Sequence, residues 1–275
     1  MPMDERYVWD EVVGEAWVRH DAAIDMQTGP FGNAAMEALG SLDGATVLDV
    51  GCGAGTTTLR LADRVGDSGR VVGIDLSARM LEEARTRSAD RRNVSFIQGD
   101  ASKYDFDEQF DALFSRNGVM FFEEPVPAFT RLRALMKPGG RCGFACWKDP
   151  FSNPWMSVPM MASAAVLGPP DIPGPGAPGP FAFASDDVLR QVLEGSGWHD
   201  VEIRELAVEG AMFAGGAHQA ASIVVEVSPP YAVALSKRPE LHDDLVEVIA
   251  GALEPYEVDG QVVILATEWI ATARA

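Results

Sequence analysis

From about residue 45 to residue 147, short apolar runs alternate with stretches in which apolar positions recur at helical spacing. The runs predict strands at Thr46 to Val50, Val71 to Asp75, Val94 to Gln98, Phe110 to Ser115 and Arg141 to Trp147. Between them Leu59, Ala62 and Val65 share one helix face, as do Met80, Leu81 and Ala84, and then Phe129, Leu132 and Leu135 to Met136. Ser77 is placed to cap the second helix, and Pro138-Gly139-Gly140 to end the third. Strand and helix in alternation are the pattern of an α/β fold, a parallel sheet covered by helices.

The flanks read differently. Tyr7, Trp9, Val12, Val13, Trp17, Phe31 and Met36 predict amphipathic helices over residues 5 to 40, a cover on the sheet. Residues 168 to 180 hold proline or glycine at ten of thirteen positions, which no helix or central strand tolerates. Apolar Trp155, Met156, Met160, Met161 and Phe181 surround that stiff loop. A helix is expected from Ser185-Asp186-Asp187 to Gly195, a strand at Val201 to Val208, mostly helix over 217 to 255 with breaks at Pro229-Pro230 and Pro239, and a last strand at Val262 to Ile270. The expected layout is one elaborated domain over 1-275: an N-terminal cover (1-40), a core (41-147), a Pro/Gly-rich lid (148-185) and a C-terminal part of the sheet (186-275) with a helical insertion at about 209-260.

Composition narrows the partners. With 41 acidic against 22 basic residues, the net charge of -19 repels nucleic acid phosphates and anionic membranes, and small-molecule substrates are expected. The chain has no run long and apolar enough to span a bilayer, and its start, Met1-Pro2-Met3-Asp4-Glu5-Arg6, is unlike a signal peptide, so a cytoplasmic location is expected. Cys52, Cys142 and Cys146 lie in or beside apolar segments and read as reduced, buried thiols. No metal is expected, since the Cys142 and Cys146 pair has no second pair and no nearby histidine.

The chemistry gathers at the strand ends. Gly51, Gly53 and Gly55 follow the first strand and permit a sharp turn that a ligand can approach closely. Their spacing is G-x-G-x-G, not the G-x-G-x-x-G of dinucleotide sites, and Asp49 stands two residues before the first glycine. A carboxylate there is awkward beside a pyrophosphate but suits a ligand carrying a sulfonium and an ammonium; a mismatched pair costs about 1 to 4 kcal/mol. Asp75 ends the second strand, where it can accept both hydroxyls of a ribose, and Gln98-Gly99-Asp100-Ala101 follows the third, where Asp100 can accept from an adenine amino group. Three acids at three successive strand ends converge where open parallel sheets bind ligands.

The segments 47 to 56 (Val-Leu-Asp-Val-Gly-Cys-Gly-Ala-Gly-Thr), 71 to 77, 98 to 101, 110 to 116 and 135 to 141 resemble the core of class I S-adenosylmethionine (SAM)-dependent methyltransferases, in the broad group that includes the quinone-ring C-methyltransferases. The resemblance implies a Rossmann-like, mostly parallel seven-stranded sheet with its final strand antiparallel. It implies SAM as cofactor, its methionine portion on Gly51, Gly53 and Gly55, its ribose on Asp75, and its adenine on Asp100 and Ala101 with Leu76 and Met80 packed against it. Cys52 lies within the same turn, and Asp49 fits either of two roles, orienting the ligand or holding the turn through its backbone amides. Ser115 and Arg116 would sit beside the methionine portion, and Trp17 of the cover either closes over it or packs in the core.

The acceptor side is less determined. The Asn/Asp-Pro-Pro-Tyr signature of nucleic-acid and glutamine N-methyltransferases is missing after the fourth strand, where the chain reads Ser115-Arg116-Asn117-Gly118. Tyr7, Asn117, Met120, Trp147, Trp155 and Phe181 are candidates to line an acceptor pocket, though each also fits a core or loop role. His20 and Arg116 are the candidates for catalytic groups; none is compelled to take a proton. An NAD-dependent oxidoreductase and a non-catalytic SAM-binding module are the rival readings, and the apolar covers also fit the interface of a homo-oligomer.

Overall fold

The computed structural model describes residues 5–170, 174, 176–211, 213 and 215–275. Met1 to Asp4 of the expected cover and Asp171, Ile172, Pro173 and Pro175 of the expected lid lie outside the described residues.

In chain order the helices are α1 (Glu5–Tyr7), α2 (Gly14–Arg19), α3 (Asp21–Ala38), α4 (Thr56–Val65), α5 (Ala78–Arg87), α6 (Pro125–Ala134), α7 (Pro154–Leu167), α8 (Asp186–Gly195), α9 (Ala217–Val227), α10 (Pro229–Lys237) and α11 (His242–Leu253). The strands are β1 (Thr46–Val50), β2 (Arg70–Asp75), β3 (Val94–Gln98), β4 (Phe110–Arg116), β5 (Met136–Trp147), β6 (His199–Ala211), β7 (Glu257–Val258) and β8 (Gln261–Arg274). No helix among the described residues is long and apolar enough to cross a membrane.

The sheet order is β3-β2-β1-β4-β5-β8-β6, with the two-residue β7 paired to β8 at the side. Strands β1 to β5 pair in parallel and β8 runs antiparallel to β5, as expected of a seven-stranded sheet, with β7 as a small addition. The order reverses at β1 and β4, so the carboxyl ends of these neighbours diverge into the crevice where such sheets bind ligands. Ser77 caps α5 by accepting from the Met80 amide at 3.2 Å.

Two local expectations are corrected. Helix α6 stops at Ala134, before Leu135 and Met136, because Met136 already pairs with Phe110 as the first residue of β5. The Pro138-Gly139-Gly140 segment therefore does not end the helix. It occupies the irregular stretch of β5, where the register shifts before Ala112 pairs with Arg141. In the expected lid, Trp155, Met156, Met160 and Met161 belong to the fourteen-residue α7, which Pro154 opens at a position where its missing N–H costs nothing.

The chain divides into two compact units. One comprises 1–29, 150–172 and 207–267, and the other 30–149, 173–206 and 268–275. The first is helical at its centre: Ala221, Val225, Leu245, Ile249 and Leu253 of α9 and α11 form an apolar cluster with Tyr231 and Val262. The helical run is interrupted at Pro229 and Pro239, as expected, and each of these prolines starts a new helical turn. The second unit carries the parallel strands. Phe129 of α6 is its hub, with ring centroids 5.9 Å from Phe122, 5.6 Å from Phe144 and 6.2 Å from Phe183. A fully buried phenylalanine of this kind contributes about 2 to 3 kcal/mol.

Candidate functional site

The glycine turn begins where β1 ends. Gly51, Gly53 and Gly55 all have positive φ (71°, 53° and 84°). A Cβ at Gly51 would lie 2.8 Å from the Gly118 Cα, and one at Gly55 would lie 2.9 Å from the Ala84 Cβ, so both positions also need the missing side chain. At Gly53 the nearest atom to a Cβ is the Met80 Sδ at 3.6 Å, which leaves that face of the turn open and places Met80 beside it.

Asp49 lies beneath this turn, fully buried. Its Oδ2 accepts from Thr57 Oγ1 at 2.8 Å and Thr58 Oγ1 at 2.6 Å, while Oδ1 has no hydrogen-bond partner in the protein. Burial pushes its carboxyl up to about 6, against the threonine hydrogen bonds and the charge of Arg116. A buried carboxylate oxygen without a partner costs stability unless a donor or a cation reaches it.

Asp75, at the end of β2, is tied into the same turn. Its Oδ2 accepts from the Gly53 amide at 2.8 Å and its Oδ1 from the Ser77 amide at 2.9 Å, which fixes the carboxylate in one orientation. Asp100 accepts from the Ser102 amide and hydroxyl through Oδ1, and pairs with Lys103 through Oδ2 at 3.1 Å. Burial works to raise the Asp100 carboxyl, but Ser102 and Lys103 outweigh it and hold it below the usual range. Ala101 is buried, as is Cys52, whose thiol burial pushes well above its ordinary value. Leu76 presents its carbonyl to Gln98 Nε2 at 3.3 Å. These residues belong to one compact unit, and their arrangement fits SAM: a glycine cradle that a Cβ would fill, an oriented acid at the second strand end, and an orphaned buried carboxylate oxygen for a cationic group.

Beyond β4 the chain folds back on the turn. Ser115 Oγ donates to the Val50 carbonyl at 2.7 Å and accepts from the Gly118 amide at 3.2 Å, so its hydroxyl holds the loop. Arg116 lies against Gly32, where a Cβ would be 3.0 Å from the arginine Cδ. Asn117 adopts φ 62°, its amide donates to the Ala145 carbonyl at 3.0 Å, and its Nδ2 donates to Glu268 Oε1 at 3.0 Å. Met120 and Trp147 meet through a Trp147 N–H to Met120 Sδ contact of 3.3 Å, and Phe31 stands edge-on to Trp147. Phe181 is half-buried in the same unit.

Tyr7, Trp17, His20 and Trp155 fall in the other unit. Trp17 Nε1 donates to the Val227 carbonyl at 2.9 Å, and His20 Nε2 lies 3.0 Å from Glu226 Oε2. Trp155 Nε1 donates to Asn153 Oδ1 at 3.1 Å, and Tyr7 is exposed.

Sequence reasoning missed Glu268. It lies in β8 opposite Trp147, fully buried, with Oε2 unpartnered in the protein. Burial pushes its carboxyl up to about 8, against the Asn117 hydrogen bond and the charge of Arg116. A lone acid inside Val262 to Ile270 was the available signal, because a glutamate is almost never fully buried without a specific partner. Among the described residues no group of three or more His, Cys, Asp or Glu can hold a metal ion.

Comparison with known proteins agrees with this geometry. Residues 47–140 match the family model described as a methyltransferase domain. The demethylmenaquinone methyltransferase of Renibacterium salmoninarum is 30% identical over 216 residues, which cover 74% of this chain and 88% of the relative. The aklanonic acid methyltransferase DauC of Streptomyces sp. strain C5 is 35% identical over 118 residues, 42% of this chain and 54% of that one. Among solved structures, phosphoethanolamine N-methyltransferase 2 of Haemonchus contortus, bound to S-adenosylhomocysteine (SAH), superposes with a TM-score of 0.53 at 19% identity, covering 89% of this chain and 52% of that chain.

Proposed function

Because the chain belongs to the class I SAM-dependent methyltransferases and transfers the SAM methyl group to a small molecule, we propose that its acceptor is a hydroxylated aromatic ring of the quinol type. The observation that carries this reading is the likeness to a demethylmenaquinone methyltransferase over 88% of that relative's length, well beyond the donor-binding motifs. SAM supplies an activated methyl group, and the protein's contribution is to orient, to exclude water and to move a proton.

On this reading Asp49 takes the donor's ammonium on its free Oδ1, Asp75 the ribose hydroxyls on its remaining lone pairs, and Asp100 with Ala101 the adenine. Gly51, Gly53 and Gly55 let the backbone approach, while Cys52, Leu76 and Met80 supply apolar contact. Ser115 and Arg116 hold the loop at the methionine end, and Asn117, Met120, Trp147 and Phe181 face the acceptor. The whole chain acts as one catalytic module, with Trp17, His20, Tyr7 and Trp155 in its helical part.

The test is an assay with SAM and a panel of acceptors: naphthohydroquinone, a simple catechol, ethanolamine phosphate and glycine. SAH release with the ring compounds alone is expected. Turnover of an aliphatic amine in preference to both rings would overturn the acceptor class and leave the donor assignment standing.

A further inference from the structure

At the carboxyl edge of the parallel strands three buried side-chain oxygens have no hydrogen-bond partner in the protein: Asp49 Oδ1, Asn117 Oδ1 and Glu268 Oε2. Arg116 stands close enough to Asp49 and to Glu268 for its charge to act on both. Buried oxygens of this kind are normally satisfied by protein, water or ligand, so a molecule that brings proton donors would find unfilled acceptors here. The donor's ammonium answers Asp49. It leaves Asn117 and Glu268, which are joined to each other by the 3.0 Å hydrogen bond from Nδ2 to Oε1.

Resting on the quinol-type acceptor, we propose that Glu268 is the catalytic residue that receives the acceptor's hydroxyl proton, with Asn117 holding its carboxylate in place. The O–H bond of the ring hydroxyl breaks and its electron pair stays with the ring system. The proton goes to Glu268 Oε2, giving a neutral carboxylic acid. The electron pair, at oxygen or at the conjugated ring carbon, forms the new bond to the methyl carbon as the C–S bond breaks and its electrons return to sulfur.

Three features of the site support this. Oε2 is the oxygen that Asn117 does not engage, so the carboxylate is anchored at one oxygen and has no protein partner at the other. The acid is fully buried, where a raised proton affinity narrows the gap to a phenol. An ordinary glutamate (about 4.3) lies far below a phenol (about 10), whereas a group near 8 lies close enough for the proton to pass to it. The charged and titratable groups that act on Glu268 are Arg116, from the end of β4, and Cys146 of β5, whose buried thiol stays neutral. A bound sulfonium adds positive charge and favours the ionised carboxylate.

The test uses the full chain and Glu268→Gln. Calorimetry with SAH is expected to give a Kd within about threefold of native, which confirms the fold and the donor site. With SAM and naphthohydroquinone, kcat is expected to fall about 100-fold or more with KM little changed. The rise of the native rate with pH, whose midpoint is expected at or below about 8, should vanish. A readout free of turnover is the infrared stretch of the protonated carboxyl, identified by its loss in the variant. It should shift when naphthohydroquinone joins the SAH complex, and not with the dimethyl ether of that ring.

Asn117→Ala is the second variant. It keeps the acid and loses its anchor, so the pH midpoint should move upward while kcat falls about tenfold. If the ring class is wrong, neither naphthalene will act on the band but an aliphatic cyclohexanediol will, and the role of Glu268 stands. A Glu268→Gln enzyme within about threefold of native kcat with its pH rise intact, or a band that no hydroxyl-bearing probe shifts, overturns the proposal.

Discussion

The glycine-turn end of β1 and the middle of β8 each bury an acid, Asp49 and Glu268, and the two regions are built in opposite ways. Asp49 is served by neighbours in sequence: Thr57 and Thr58 lie eight and nine residues away, on the helix that the glycine turn itself starts. Glu268 is served by Asn117, 151 residues earlier, brought to it by β5 pairing with β4 on one side and with β8 on the other. A short-range site can be encoded as a motif. A site assembled across strands exists only when the sheet does, and on the proposed reading the donor chemistry falls in the first kind and the acceptor chemistry in the second.

That comparison can be broken by substitution, with the largest effect expected at the turn. Asp49→Asn removes the charge while keeping the shape, and SAM affinity should fall about 100-fold by calorimetry, the loss of a charge-assisted contact of about 3 kcal/mol. An unchanged Kd would remove Asp49 from the donor site. Asp75→Ala should weaken SAM binding about tenfold or more without unfolding the chain, as circular dichroism would show.

Gly118→Ala tests the close approach of the loop after β4 to the glycine turn. Its Cβ would stand 2.7 Å from the Val50 carbonyl and 2.9 Å from the Gly51 Cα, both backbone atoms that cannot step aside. A destabilisation of about 2 kcal/mol, read as a drop in Tm of roughly 4 to 8 °C, is expected.

The pH dependence of stability sharpens the contrast at Glu268. Burial raises its carboxyl from the ordinary value of 4.5 to about 8 in the folded protein, so between these two values the folded state holds a proton that the unfolded state releases. Stability is therefore highest below pH 4.5 as far as this group is concerned, falls as the pH rises through that window, and levels off above about 8, with an upper bound of about 5 kcal/mol. Glu268→Gln should flatten that fall, so its Tm should exceed that of the native protein by more at pH 9 than at pH 5. The smallest effect belongs to the helical unit: Arg19→Ala loses a partly exposed pair with Glu226 at 2.6 Å and should cost less than about 1 kcal/mol.

Much of the fold was readable because its determinants are local. The strand assignments at Thr46 to Val50 and Val94 to Gln98 coincide with β1 and β3, since an apolar run bounded by turn residues has one good solution in a parallel sheet. The residues proposed for the donor could be singled out for the same reason, each lying within a few positions of a strand end. The end of α6 was misplaced because Leu135 and Met136 continue the helical period, and only pairing with Phe110 draws Met136 into β5. Glu268 was passed over because, within β8, it has no sequence neighbour that declares its role.

Taken alone, the order of apolar and polar positions determined an α/β sheet with a glycine turn and three acids at its strand ends, because each of those features depends on contacts a few residues apart. The tertiary structure alone decided that the flanking segments join into a helical unit of their own, and that Asn117 meets Glu268. Those outcomes depend on which distant surfaces exclude water together, and neither periodicity nor motif spacing carries that information.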